Sequence, residues 1–330
     1  MFASVTIRGV TFEPALFCAP LAGLTHCSFR RLAAGFGGCG CFFTEMLAGR
    51  QILGEDLRKS PYHRRSPAEK RLIYQLMVHE SDPLDRIVGR LSEIGPDGID
   101  INLACHAPAV RNVNAGSSLF ENIVGLETVL TAVRRHWSGM LTVKIRLGSK
   151  VPGYEDRFVR RLRLFEECGV DAITLHPRHL EDKHVRSARH ECFAWAAAMT
   201  RLPIIANGDI LGAETIRANP AAFAPAKGLM IGRMAVVRPW IFAAWSGPCV
   251  VDHKETWLRM HEYICSDFKP SDALKRIKHF TKYFARNFVF GHTFHTAVSG
   301  AHSLDAARER ACLFLDSNPA LEDKPWLMGL

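Results

Sequence analysis

The 330-residue sequence lacks the features that mark membrane, secreted or repetitive proteins. No uninterrupted apolar run approaches the roughly 18 residues that span a bilayer, and there are no repeats or low-complexity tracts. Residues 1–13 lack the basic start and apolar core of a secretory signal. These absences argue against membrane, secreted, fibrous and disordered classes, and we expect a cytoplasmic protein with no membrane partner.

Cysteine patterns typical of zinc sites and disulfide frameworks are also missing. The ten cysteines are scattered, without a C-x-x-C pair or a histidine at zinc-finger spacing. A disulfide framework is unusual in a chain of this length that is not secreted. We therefore expect reduced thiols and no metal.

Basic residues exceed acidic ones, with 42 Lys and Arg against 33 Asp and Glu, for a net charge of +9. A charge of this size fits a polyanionic partner, but it is also common among ordinary enzymes. Its distribution says more, because residues 58–71 and 269–286 each carry six cations and one carboxylate. Two such clusters favour a phosphate-rich ligand over two solvated faces.

Strand-like apolar runs alternate with segments of helical periodicity as far as residue 231. The eight runs are 15–19, 41–43, 72–77, 98–103, 141–145, 172–175, 203–206 and 228–231. This alternation predicts a (β/α)8 TIM barrel. An open doubly wound sheet would usually carry a glycine-rich turn after its first strand, whereas residues 19–23 read Ala-Pro-Leu-Ala-Gly. Only helical patterns follow, so we predict a barrel domain over 1–249 and a small helical domain over 250–330, with 289–295 as a turn between helices.

Polar residues follow the predicted strands at their carboxyl ends, where such barrels collect their chemistry. Cys105 comes just after the strand at 98–103. A thiol at that position can donate or accept a proton or attack an electrophile, whereas a thiol in a helix core would be inert.

The turns after the seventh and eighth strands are typical of a phosphate site. Asn207-Gly208-Asp209 and Gly232-Arg233 place glycines where backbone must approach a ligand closely, and Arg233 can neutralise charge. Two ordinary β-to-α turns remain the alternative.

Lys144 lies within an apolar strand and is expected to point into the barrel mouth. A buried ammonium is costly unless it is paired, so it should face either a carboxylate or an electron-rich ligand. The pyrimidine end of a flavin is one such ligand. Gln75 and His176 could donate hydrogen bonds to the same ring.

Motifs at these positions together resemble the tRNA-dihydrouridine synthases, a family of FMN-dependent TIM barrels. The matching stretches are Ala-Pro-Leu-Ala-Gly-Leu-Thr at 19–25, Thr-Glu-Met at 44–46, Gln75, Asp-Ile-Asn-Leu-Ala-Cys at 100–105, Ala-Gly-Ser at 115–117, Lys-Ile-Arg-Leu-Gly at 144–148, His-Pro-Arg at 176–178, Ile-Ala-Asn-Gly-Asp-Ile at 205–210 and Met-Ile-Gly-Arg at 230–233. Their joint order is specific, although each stretch alone is weak.

The resemblance implies reduction of a uridine in tRNA, with Cys105 giving a proton to C5 while reduced FMN delivers hydride to C6. NADPH or NADH is the implied reductant, and the enzyme is expected to be monomeric. The implied cofactor contacts are Pro20, Leu21, Gln75, Lys144, His176, Asn207, Gly208, Asp209, Gly232 and Arg233. The implied substrate contacts are Asn102 and Arg178, with Lys275, Arg276 and Lys278 gripping the RNA.

Two residues near the thiol depart from the family pattern. His106 stands where a proline is usual, and Ala109 stands where a basic residue is usual. Two other functions are therefore open: an FMN-dependent barrel that reduces a small pyrimidine or enone, and an RNA-binding relative with altered catalysis.

Overall fold

The computed structural model describes residues 2–182 and 186–327. Its strands are β1 (Val5–Ile7), β2 (Val10–Phe12), β3 (Leu16–Cys18), β4 (Cys41–Phe43), β5 (Leu47–Ala48), β6 (Leu72–Met77), β7 (Gly98–Leu103), β8 (Leu141–Arg146), β9 (Ala172–His176), β10 (Ile204–Asn207) and β11 (Gly228–Ile231).

Helices follow most of these strands and make up the C-terminal part of the chain. They are α1 (Cys27–Phe36), α2 (Gly49–Ile52), α3 (Leu84–Ser92), α4 (Pro108–Arg111), α5 (Ser117–Glu121), α6 (Ile123–His136), α7 (Tyr154–Glu167), α8 (Cys192–Met199), α9 (Ala213–Ala218), α10 (Pro220–Phe223), α11 (Arg233–Val237), α12 (His253–Asp267), α13 (Pro270–Phe284), α14 (Gly291–Ser299) and α15 (Leu304–Asp316).

Eight parallel strands close into a barrel. Their order around it is β3, β4, β6, β7, β8, β9, β10 and β11, and β11 pairs back to β3. The short strand β5 adds to the far end of β6. The prediction of a TIM barrel is confirmed, and the predicted strand bounds agree with the observed ones to within one residue at each end.

Side chains on the two faces of the barrel strands enter two separate cores. Phe17, Phe43 and Met230 belong to the inner core, together with Ile7 and Phe12 from the β1–β2 hairpin, which the sequence did not predict. The outward-facing side chains pack against the surrounding helices. Because both faces are buried, the strands read as continuous apolar runs in the sequence.

The C-terminal helices pack on the barrel beside α1. Ser28 of α1 donates a hydrogen bond to Asp267 at 2.6 Å, and Arg64 forms an ion pair with the same carboxylate at 2.5 Å. Trp257, fully buried on α12, donates to Thr281 of α13 at 2.9 Å. These contacts fix the helices relative to the barrel mouth.

The expected turn at 289–295 is wrong from Gly291 onward, because α14 begins at that residue. Phe294 and Val298 are both buried on one face of this helix, so the stretch has helical periodicity beyond its glycine. Within residues 2–182 and 186–327, no helix combines the length and apolarity needed to cross a membrane.

Candidate active site at the barrel mouth

A cavity of about 420 Å³ opens at the carboxyl ends of the barrel strands. Every predicted cofactor residue lines it, together with Cys105, Asn102 and Arg178. Lys275, Arg276 and Lys278 lie outside it on α13. The remaining lining residues are Ala19, Ala22, Met46, Ala104, His106, Ala107, Arg146, Ile210, Met230, Met234, Tyr283 and Leu327.

Cys105 is half-buried on the cavity wall and held by its backbone. The side-chain oxygen of Asn102 accepts hydrogen bonds from the backbone N–H groups of Ala104 and Cys105, at 3.1 and 3.0 Å. The Cys105 carbonyl accepts from the N–H of Ser117 at 2.8 Å. A Cβ at Gly116 would lie 2.5 Å from that carbonyl, and its φ of +59° also favours glycine. Gly116 therefore lets the loop after α4 close on the thiol.

A chain of buried hydrogen bonds supports Asn102 from below. Its amide N–H donates to Gln75 at 2.8 Å, and Gln75 donates to Asp100 at 2.7 Å. Asp100 also accepts from the Thr142 hydroxyl at 2.6 Å, and burial raises its pKa to about 6. No role was predicted for Asp100, although this residue opens the motif that contains the thiol. Its observed contacts hold Gln75 and, through it, Asn102.

Lys144 and Arg146 lie two residues apart on β8 and therefore share a strand face. Desolvation lowers the pKa of Lys144 to about 8, with the charge of Arg146 acting in the same direction. Arg146 is 4 % exposed, and desolvation lowers its pKa to about 10. No role was predicted for Arg146, although its spacing from Lys144 was a usable signal. The two cations give this wall of the cavity a strongly positive charge.

The turn at residues 207–209 fits closely around His176. Gly208 has a φ of +112°, and a Cβ there would lie 2.7 Å from the His176 ring. Arg178 contacts the Nε2 of His176 at 3.2 Å. The side-chain amide of Asn207 donates to the Met230 carbonyl at 2.8 Å, which ties the seventh and eighth barrel strands together.

Asp209 gathers the two arginines at this end of the cavity. It forms ion pairs with Arg178 at 2.6 Å and with Arg233 at 3.2 Å. Arg233 also donates to the Leu327 carbonyl at 3.1 Å. Desolvation lowers the pKa of Arg233, which indicates a partly buried cation suited to an anionic ligand.

The three predicted RNA cations on α13 differ in their surroundings. Lys275 is exposed, with Asp272 3.9 Å away, and Lys278 is partly exposed. The Arg276 guanidinium instead packs 4.2 Å from the centre of the Phe268 ring and 5.1 Å from that of Tyr62. It also donates to the Tyr62 hydroxyl. Arg276 thus makes intramolecular contacts between α13 and the barrel loops.

Tyr283 and Leu327 reach the cavity from the C-terminal part of the chain. Met46 lines it from the loop between β4 and β5. Tyr283 and Leu327 carried no sequence signal, because their position depends on how α13 and the C-terminal segment pack on the barrel.

The cavity fits a flavin mononucleotide in size and in the chemistry of its wall. Its volume falls within the range of about 300–1,000 Å³ that is typical of cofactor sites. Its lining includes buried Lys144, the Gln75 amide, the apolar pair Pro20 and Leu21, and the Arg233 guanidinium. A flavin mononucleotide has an apolar ring, an electron-rich pyrimidine edge and a phosphate, and this lining supplies apolar side chains and cations for them.

A sequence model of the dihydrouridine synthase (Dus) family matches residues 17–310. The tRNA-dihydrouridine synthase B of Proteus vulgaris is 33% identical over 230 residues, which cover 69% of this chain and 69% of that protein. The enzyme of the same name from Pseudomonas syringae pv. tomato is 31% identical over 254 residues, covering 73% and 70%.

Solved structures share the fold at low identity. An old yellow enzyme homologue from Zymomonas mobilis superposes with a TM-score of 0.52 at 14% identity, covering 78% of this chain and 95% of that one. Morphinone reductase gives 0.52 at 12% identity, covering 77% and 92%. These similarities support the barrel architecture alone.

Proposed function

Because the chain belongs to the dihydrouridine synthase family, we propose that it reduces a uridine in tRNA to 5,6-dihydrouridine. FMN is the proposed cofactor, and NADPH or NADH is the proposed reductant. The observation that carries the proposal is the position of Cys105, on the wall of a cavity that also holds Lys144 and Arg233. An acid, a cation for a flavin ring and a phosphate site thus share one chamber.

The proposed acid is the Cys105 thiol. The chemistry expected of bound reduced FMN is hydride transfer to C6 of the uracil ring. Addition there leaves negative charge toward C5, and a positioned acid must neutralise it. The two hydrogen bonds from Ala104 and Cys105 to Asn102 fix the loop that presents the thiol. Lys144 and Arg146 supply positive charge in the same cavity.

Ten other wall residues are assigned to the cofactor. Lys144, Gln75 and His176 hold the isoalloxazine ring, against which Pro20 and Leu21 pack. The phosphate is bound by Asn207, Gly208, Gly232 and Arg233, and Asp209 orients Arg233.

Substrate contacts are assigned to both parts of the chain. Asn102 and Arg178, which line the cavity, are assigned to the uridine. A base stacked in a folded RNA cannot reach a barrel mouth, so the nucleotide must be flipped out. Lys275 and Lys278 hold the RNA backbone, and Arg276 supports their helix. The proposed domains are the barrel over 1–249 and the tRNA-binding helices over 250–330.

The proposal is tested by incubating the purified protein with FMN, NADPH and unmodified tRNA, followed by nucleoside mass spectrometry. A yellow protein that bleaches with NADPH and forms dihydrouridine is the expected result. A bleaching protein that reduces a free pyrimidine or an enone, but leaves tRNA unchanged, would establish the small-molecule alternative. A colourless protein that still binds tRNA would indicate an RNA-binding relative without the catalysis.

A further inference from the structure

A second cavity, of about 310 Å³, lies beside the first. Lys282 lines the second cavity, whereas the next residue, Tyr283, lines the first. The same holds for Trp326 and Leu327 in the C-terminal segment. Residues that are adjacent in the chain, with Cα atoms about 3.8 Å apart, thus line different cavities at two places. The two cavities therefore lie close to each other.

The second cavity is lined by cations without acidic partners. Lys282 and Arg286 are four residues apart, at the end of α13 and in the turn that follows it. Within the described parts of the chain, neither one has a carboxylate at salt-bridge distance. Glu322 also lines the cavity, and its Oε1 accepts a hydrogen bond from the Lys324 backbone at 3.2 Å. Two charged side chains are thus available to an anion.

Imidazole groups add polar contacts to the same cavity. His292 is exposed and His295 is partly buried, and both line it. Burial lowers the pKa of His295, and the charges of Lys282 and Arg286 lower it further. A neutral ring at pH 7 can still donate one hydrogen bond to a phosphate oxygen.

Large apolar side chains at the rim are left open to solvent. Trp326 is 64% exposed and lines the cavity together with Val289, which is 49% exposed. Phe290, next in the chain, is 66% exposed. An open indole face beside unpaired cations is the combination that single-stranded nucleic acids use, with a base stacked on the ring and a phosphate on the cation.

We infer that this cavity binds a nucleotide that flanks the flipped-out uridine, with its phosphate on Lys282 and Arg286 and its base on Trp326. The inference rests on the proposed function, because it takes the ligand of the barrel mouth to be part of an RNA chain. An extruded nucleotide stays bonded to a phosphate on either side, so its neighbours must lie close to the mouth. The second cavity is where the described surface offers charge and stacking at that position.

The test uses the full-length protein and unmodified tRNA transcripts, with binding measured at several salt concentrations. The double variant Lys282→Gln/Arg286→Gln is expected to weaken tRNA binding about tenfold and to reduce the slope of log K against log salt by about one. Trp326→Ala should weaken binding at least about fivefold and leave that slope unchanged, since it removes stacking and no charge.

A matched control removes the same charge at the other end of the barrel. Arg135, in the last turn of α6, and Lys227, just before β11, are both exposed and lie near the amino ends of the strands. Arg135→Gln/Lys227→Gln should leave tRNA affinity within twofold of the parent. Melting temperatures of all variants show whether any loss comes from unfolding.

Three results would overturn the inference. The first is equal weakening in the control and the Lys282/Arg286 variant, which would reflect net charge alone. The second is unchanged tRNA binding in Lys282→Gln/Arg286→Gln. The third is a rise in the KM for NADPH in that same variant with unchanged tRNA binding, which would indicate that the cavity binds a phosphate of the dinucleotide. Failure of the proposed function is recognised separately, because the parent protein would then form no dihydrouridine.

Discussion

At the scale of single residues, the barrel mouth holds basic groups that are buried and poorly solvated. Desolvation lowers the pKa of Lys144 to about 8 and that of Arg146 to about 10. In each case the folded protein disfavours the charged form relative to the unfolded chain. Lys144 therefore destabilises the ligand-free protein increasingly as the pH falls from the usual lysine pKa of 10.5 towards 8. An anionic ligand offsets this cost, so binding of the ligand favours the charged forms of Lys144 and Arg146.

Replacing Lys144 by Met should make the reduction potential of bound FMN more negative by about 30 mV or more, equivalent to about 1.4 kcal/mol for a two-electron couple. The reason is that the reduced ring carries negative charge that the ammonium stabilises. Because Lys144 is charged below its pKa of about 8, the difference from the wild type should be larger at pH 7 than at pH 10. Spectroelectrochemical titration at pH 7 and pH 10 measures it, and equal potentials at pH 7 would refute the assigned contact.

At the scale of elements, the loop that carries Cys105 is fixed by close packing of one segment on another. The N–H of Ser117, the first residue of α5, binds the Cys105 carbonyl, and Gly116 leaves the space for that approach. The position of the thiol therefore depends on a glycine eleven residues further along the chain.

Gly116→Ala should displace this loop, lower the free energy of unfolding by about 1–3 kcal/mol and reduce dihydrouridine formation at least tenfold. Gly89→Ala is the matched control, since Gly89 is exposed on α3 and a Cβ there meets nothing within 4 Å. The control should be stabilised by about 0.5–1 kcal/mol. Thermal unfolding and turnover assays provide both readouts, and a Gly116 variant that behaves like the control would contradict this role.

Helix α13 carries two kinds of basic residue, one packed against aromatic rings and the others at least partly open to solvent. Arg276→Gln should cost about 1–2 kcal/mol of stability, because its guanidinium packs on Phe268 and Tyr62. Lys275→Gln/Lys278→Gln should leave stability unchanged and lower the salt dependence of tRNA binding. The two effects are compared by thermal unfolding and by salt titration. If Arg276→Gln instead kept its stability and lowered the salt dependence of tRNA binding, Arg276 would contact the RNA directly.

Sequence was sufficient for the barrel because its strands are buried on both faces and followed by turns of distinctive composition. Cys105 and Gly208 lie in those turns, Asn102 lies near the end of β7, and all three line the cavity. Arg146 was missed although its spacing on β8 was informative. Tyr283 was unpredictable in principle, since it reaches the cavity through tertiary packing.

At the scale of the whole molecule, the barrel and the C-terminal helices share one core. Trp257 and Phe280 belong to the same cluster of buried residues as Leu16 and Leu72 of the barrel strands. The helical part is therefore held rigidly against the barrel rim, with the second cavity beside the mouth. Under the proposed function, this arrangement allows the helical part to set which nucleotide reaches Cys105.

Under the proposed function, Cys105 gives the proton that completes reduction of a uridine in tRNA. The most direct measurement is the amount of dihydrouridine formed in unmodified tRNA by Cys105→Ala, by the parent and by Cys312→Ala, whose cysteine lies outside the cavity on α15. Loss of general acid catalysis should lower the rate about 10²–10⁴-fold in Cys105→Ala, while its flavin content and oxygen-coupled NADPH oxidation persist and Cys312→Ala matches the parent. Parental rates of dihydrouridine formation in Cys105→Ala would contradict the claim.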